Sequence, residues 1–221
     1  MLKNVIGLMS GTSMDGIDAA FLKTDGLFHV EASEAITVPY EVDLRGTLSE
    51  LVSSGIQSKT VEKQITLKHA EVISQLLKKT KTAVDEIDLI GFHGHTIYHK
   101  PAQRKTLQIG DGELLAKLTG VDVVCDFRSN DVMHGGQGAP LVPLYHRAVA
   151  SQLAKPLAIL NLGGVANITW LGHEDELLAF DTGPGNALLD DFMNFRLGEK
   201  QDTGGKMALS GNVDQSILAT L

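Results

Sequence analysis

Four short apolar runs each end in a glycine-bearing loop, which limits the chain to folds that gather strand ends around a ligand. Val5–Met9 leads into Ser10-Gly11-Thr12-Ser13-Met14-Asp15-Gly16, and Ile87–Phe92 into His93-Gly94-His95-Thr96. Pro156–Leu162 leads into Gly163-Gly164, and Leu177–Phe180 into Asp181-Thr182-Gly183-Pro184-Gly185. In α/β sheets the ligand crevice lies at such strand ends. Ile17–Leu22 resumes an extended pattern after the first loop, so residues 5–22 read as a hairpin with a polar tip. A second strand–loop–strand unit near residue 163 suggests two related lobes. Helical spacing is clearest from Val61 to Leu77, ahead of Lys78-Lys79, two cations suited to a helix C-terminus. Further helices are expected over Asp111–Leu118, Leu144–Leu153 and Leu188–Phe195, and further strands over Val121–Cys125 and Asn167–Leu171. The densest run of breakers, Gly135-Gly136-Gln137-Gly138-Ala139-Pro140, is the expected lobe boundary, giving lobes of residues 1–134 and 135–221.

Composition narrows the partners. Glycine makes up 23 of the 221 residues, about 10% against a usual share of roughly 7%. The formal charge is −8 and no basic run exists, so counterion release from nucleic acid is not a source of affinity. Phosphates remain accessible to such a chain where backbone N–H groups and Mg²⁺ supply the positive field. A single cysteine, Cys125, fits a reducing compartment. With no long apolar run and no signal-like start, the expected location is the cytoplasm, away from the membrane.

The loops carry the candidate chemistry. Gly11 and Gly16 allow a tight turn, and Ser10, Thr12 and Ser13 place hydroxyls beside free N–H groups. Such a tip can wrap phosphate oxygens, with Asp15 or Asp18 holding Mg²⁺ through waters, and it also suits a plain polar β-turn. It is not a P-loop, which requires G-x-x-x-x-G-K-[ST]. Gly163 and Gly164 permit close approach of a ligand, with Asn167 and Thr169 in reach, or else form a simple hairpin turn. Asp181, after four apolar residues, suits a half-shielded general base, because desolvation favours the protonated carboxyl; it equally suits a turn or helix cap. His93, His95, His99, Asp126 and Arg128 cluster at strand ends, but the spacing is poor for zinc, and no metal ligand set is expected among them. Gly11–Met14, His93–Thr96 and Asp181–Gly183 echo subtilisin triad segments in reverse order. However, Met14–Asp18 is a poor start for the long helix a subtilisin serine opens.

Taken together the segments resemble the anhydro-N-acetylmuramic acid kinase family. The matching stretches are residues 6–18 (IGLMSGTSMDGID), 94–99 (GHTIYH), 107–111 (LQIGD), 126–128 (DFR), 135–143 (GGQGAPLVP), 161–167 (NLGGVAN) and 180–186 (FDTGPGN). The resemblance implies an α/β, two-lobed, actin-like (ribonuclease H-like) ATPase fold, with the second lobe incomplete in these 221 residues. It implies that ATP and Mg²⁺ are used to phosphorylate 1,6-anhydro-N-acetylmuramic acid while its anhydro ring is opened, in cell-wall recycling. Gly11, Thr12, Ser13, Met14, Asp15, Gly16, Ile17 and Asp18 would form the first phosphate loop, and Gly163, Gly164 and Asn167 the second. Asp181 would be the catalytic base. Thr96 and Arg128 would hold the sugar, Arg128 by forking the lactyl carboxylate. His95 stands where many members carry Gln. The alternative is a catalytically incomplete chain that acts by binding a partner, such as another copy of itself.

Overall fold

A computed structural model describes residues 1–11, 14 and 16–220. The chain divides into two compact units, Met1–Ser151 and Gln152–Leu221. In the first, β1 (Lys3–Ser10) and β2 (Gly16–Thr24) form the expected hairpin, and β3 (Val30–Pro39) extends it antiparallel. Helix α1 (Val42–Ser54) and the long α2 (Lys59–Thr80) follow, then β4 (Leu89–Lys100), β5 (Lys105–Ile109), α3 (Gly112–Thr119) and β6 (Val123–Cys125). Two helices close the unit, α4 (Ser129–Met133) and α5 (Val142–Val149).

The strand order is β3-β2-β1-β4, with β6 and β5 sharing the outer edge of β4. Strands β1, β4 and β6 run parallel, while β2, β3 and β5 are antiparallel to their neighbours. Three antiparallel strands continued by parallel ones is the ribonuclease H-like lobe expected above. Its core lies between sheet and helices: Ile6, Leu8, Ile17, Ile90 and Phe92 from strands meet Leu48, Ile65, Val72, Ile73 and Leu76 from α1 and α2. Ser58 caps α2 by accepting from the Val61 N–H at 3.4 Å, and Asp111 caps α3 from Leu114 at 2.9 Å.

The second unit begins with an antiparallel meander of β7 (Leu157–Leu162), β8 (Val165–Leu171) and β9 (Leu177–Pro184), followed by α6 (Ala187–Leu197). This repeats the β1-β2-β3 theme, as two related lobes require. Short helices at Lys206–Ser210 and Gln215–Leu218 follow.

Three expectations change. The boundary falls after Ser151 rather than at residue 135. The glycine-rich stretch stays with the first unit because Arg128 Nη1 donates to the Gly138 carbonyl at 2.6 Å and the Gly138 N–H donates to Asp131 Oδ2 at 2.6 Å. Strand β4 does not stop at Phe92 but runs on through His93-Gly94-His95-Thr96. Strand β9 likewise continues through Asp181 to Pro184. In both cases glycine bends a strand rather than ending it: Gly94 and Gly183 adopt φ of +71° and +137°, and both ladders shift register nearby.

Candidate functional site

In the first unit the loop residues sit where β1 hands over to β2. The Met14 N–H donates to the Gly11 carbonyl at 3.1 Å, and Met14 takes a left-handed φ of +54°. Gly16 is buried, and a Cβ there would lie 2.5 Å from the Val38 carbonyl oxygen, so only glycine lets β2 start against β3. Ile17 is fully buried and belongs to the core, so its contribution is to anchor the loop. Asp18 is exposed, and its Oδ1 accepts from Thr37 Oγ1 at 2.6 Å. Thr12, Ser13 and Asp15 lie outside the described residues. Met14 is followed by a strand rather than a helix, which removes the subtilisin-like reading.

Beside the loop, at the C-terminal part of β4, the side chains form a connected set. Ser10 Oγ lies 2.5 Å from Tyr40 Oη and 2.7 Å from His95 Nδ1, and all three residues are buried. Burial from water, then the neighbouring His93, lowers the His95 pKa to about 4. Burial, ahead of the His95 and His93 charges, does the same for His69, whose ring packs edge-on against Phe92 at 4.8 Å. Both imidazoles are therefore neutral at physiological pH. His95 faces inward, and its position in the family motif does not give it an exposed contact.

Thr96 is half-buried and accepts from Gln108 Nε2 at 3.3 Å; the same amide donates to Thr106 Oγ1 at 2.9 Å. Arg128 is half-buried and already engaged. Its Nε donates to His93 Nε2 at 2.9 Å, while Nη1 holds the Gly138 carbonyl. Two of its five N–H groups thus tie β4 to the glycine-rich stretch, and its remaining donors are what it offers a ligand. Desolvation lowers the pKa of Arg128 from its usual value and, ahead of the Arg128 charge, that of His93.

In the second unit Gly163 and Gly164 form the β7–β8 turn. Their carbonyls accept from the Asn186 N–H at 2.8 Å and the Gly185 N–H at 2.9 Å, which locks the turn to the start of α6. Asn186 Nδ2 also donates to the Leu162 carbonyl at 2.9 Å. A Cβ on Gly185 would strike the Gly163 carbonyl oxygen. Asn167 pairs across the sheet with Asn161 on one side and Asp181 on the other. Cross-strand partners share a face, so these residues form a polar row at the turn end of the meander. Asp181 itself is exposed and lies within β9, not half-shielded at a strand end, because the strand continues past it to Pro184.

Sequence reasoning did not single out Tyr40, Gln108 or Asn161 as site residues. Gln108 and Asn161 stood inside recognised motifs, whereas Tyr40 carries no local signal and is found only through its contact with Ser10. Among the described residues no group of three His, Cys, Asp or Glu is arranged to hold a metal, and no helix is long and apolar enough to cross a membrane.

Comparison with known proteins supplies the context. The profile of the anhydro-N-acetylmuramic acid kinase family matches residues 3–221. A protein of Paramagnetospirillum magneticum named anhydro-N-acetylmuramic acid kinase is 52% identical over 208 residues, covering 94% of this chain and 59% of its own length. One of the same name from Rhodospirillum rubrum is 49% identical over 222 residues, covering 98% of this chain and 58% of its own. The chain therefore spans about three-fifths of the length of these curated relatives. Among solved structures, the Ppx/GppA phosphatase of Aquifex aeolicus aligns with a TM-score of 0.44 at 13% identity, over 86% of this chain and 55% of that one. With a family match that runs from residue 3 to the last residue, the chain belongs to the anhydro-N-acetylmuramic acid kinase family.

Proposed function

We propose that the protein acts in the phosphorylation of 1,6-anhydro-N-acetylmuramic acid by ATP, in the cytoplasmic recycling of cell-wall sugar. The observation that carries this reading is the family match together with the repeated strand–turn–strand unit. One glycine-bearing link joins β1 to β2, and its counterpart Gly163-Gly164 joins β7 to β8. Phosphoryl transfer asks mainly for positioning and neutralisation of charge, and backbone turns of this kind supply N–H groups to phosphate oxygens.

In this reading Gly11, Thr12, Ser13, Met14, Asp15 and Gly16 cradle phosphate, with Ile17 anchoring the loop, and Gly163, Gly164 and Asn167 do so on the second unit. Asp181 takes a proton from water as the water oxygen bonds to C1 of the anhydro-sugar. The C1–O6 bond breaks, and the released O6 bonds to the γ-phosphorus as the bond to the ADP oxygen breaks. The products are N-acetylmuramic acid 6-phosphate and ADP. Thr96 offers a hydroxyl to the sugar, and Arg128 offers its uncommitted N–H groups to the lactyl carboxylate. Asp18, exposed at the start of β2, would hold Mg²⁺ through water, and the cation would offset charge on the phosphates. Replacing Asp181 by Asn tests the base: turnover should fall at least about a hundredfold with sugar binding nearly unchanged. Retained turnover removes the assignment.

A second reading, in which the chain works by association, is favoured by one apolar sheet face of the second unit. Leu160, Leu162, Leu178 and Phe180 share it, at 56%, 61%, 51% and 56% exposed. Surfaces of this kind mark interaction sites. Light scattering decides: a dimer that turns nothing over supports association, and an active monomer removes it.

A further inference from the structure

Strand β4 would place Gly94, not His95, opposite Ser10 if its register with β1 were regular. Leu8 pairs with Phe92, yet Ser10 pairs with His95, so β4 carries one extra residue over this stretch. Gly94 absorbs it with a left-handed φ of +71°, and a Cβ there would strike the Ile109 carbonyl oxygen. The bulge therefore aims an imidazole at the last residue of β1, immediately before the turn at residues 11–16. Bulges commonly re-aim a side chain in this way beside functional sites.

The contact is specific. His95 Nδ1 lies 2.7 Å and Tyr40 Oη 2.5 Å from Ser10 Oγ, with no exposure at Ser10 or His95 and 7% at Tyr40. His95 Nε2 has no partner among the described residues. An orphaned N–H costs more than an orphaned lone pair, so the proton belongs on Nδ1, which donates to Ser10 Oγ. Ser10 Oγ also shares a hydrogen bond with Tyr40 Oη, across which either hydroxyl can donate. One hydroxyl thus ties together the end of β1, the residue after β3, and β4 at the position just before Thr96.

We propose that Tyr40 and His95 are positioning residues that clamp Ser10 and so fix the ends of the 11–16 turn relative to the β4 segment carrying Thr96. The consequence for ligands rests on the phosphate-loop reading above; the clamp itself does not. The three clamp residues are buried, so the clamp acts through the placement of the strand ends it joins.

The test separates hydrogen bonding from bulk. Asn carries its amide on Cγ, where histidine carries Nδ1, so His95→Asn keeps a donor in place. Gln moves its amide one bond outward, so His95→Gln loses that donor position. Amide exchange at Met14, whose N–H closes the turn onto the Gly11 carbonyl, is read by NMR on the 221-residue chain. Ser10→Ala and His95→Gln should speed it about tenfold, with His95→Asn within about twofold of the parent. Should either disruptive variant fail to fold by circular dichroism, Tyr40→Phe, which removes one oxygen, should still speed Met14 exchange where His95→Asn does not. Unchanged exchange in the folded disruptive variants, or equal acceleration by Asn and Gln, overturns the proposal. Mg·ATP affinity, measured by calorimetry on the same proteins, should weaken in the same order. If the parent chain binds no Mg·ATP while the exchange pattern holds, the clamp stands and the phosphate-loop reading falls.

Discussion

Acidification should unfold the first unit through its histidines before its carboxylates matter. His69 and His95 are fully buried and neutral, each with its pKa lowered to about 4 from an ordinary 6.5, burial being the main cause for both. The unfolded chain binds a proton at each imidazole near the ordinary value, while the folded chain resists until about 4. Between these limits the unfolded state holds more protons, so stability is complete above about pH 6.5 and is lost as pH falls towards 4. The gap corresponds to about 3 kcal/mol per imidazole at its limit and about 2 kcal/mol at pH 5, or about 4 kcal/mol for the pair. His93 shifts in the same direction and adds to the loss. A domain of ordinary stability, about 5–15 kcal/mol, would feel this strongly. Hydrogen bonds to Asp25, Glu41 and Asp88 lower their pKa values below the ordinary carboxylate range, so their contribution disappears only in more acidic solution. Urea unfolding followed by far-ultraviolet circular dichroism at pH 7.5 and 5 reads the difference. The midpoint should drop sharply in the parent and far less in a His69→Gln, His95→Asn double variant. Equal midpoints at the two pH values, or an undiminished drop in the double variant, would show that the buried imidazoles do not set the acid sensitivity.

Gly94→Ala should destabilise the first unit by about 2–4 kcal/mol, since it combines a left-handed φ with a clash against backbone; a urea midpoint near that of the parent contradicts the bulge. Arg128→Leu leaves His93 Nε2 and the Gly138 carbonyl without their donor, at a cost of about 2–3 kcal/mol. Limited proteolysis should then cut residues 134–141 faster, and Arg128→Lys should not restore the parent rate because one ammonium cannot span both acceptors. Gly185→Ala drives a methyl into the Gly163 carbonyl and should raise amide exchange in the second glycine turn, leaving the first unit unchanged.

Much of the fold was legible because its periodicities are strong. Helix α2 shows its apolar stripe from Val61 to Leu77, and the β1–β2 hairpin shows two apolar runs around a polar tip. Residues 30–54 gave no comparable signal. Strand β3 is largely exposed and interrupts its apolar residues with Glu31, Ser33 and Glu34, and α1 carries Gly46 with no side-chain cap at Glu41. The extensions of β4 and β9 were hidden by Gly94 and by Asp181-Thr182-Gly183, breakers that here bend a strand without ending it. The pairing of Asn167 with Asp181 and the clamp on Ser10 depend on register between strands far apart in sequence. A local pattern cannot carry that information. His95 was visible as an unusual residue in its motif, but only the bulge at Gly94 shows that it points inward.

Incubating the chain with Mg·ATP and 1,6-anhydro-N-acetylmuramic acid in ¹⁸O-labelled water, with phosphorus followed by NMR and the sugar by mass spectrometry, reads the proposed reaction itself. The expected product is N-acetylmuramic acid 6-phosphate with the label at C1, formed by the parent and not by Asp181→Asn. No phosphorylated sugar from the parent, or the same product from both proteins, would contradict it.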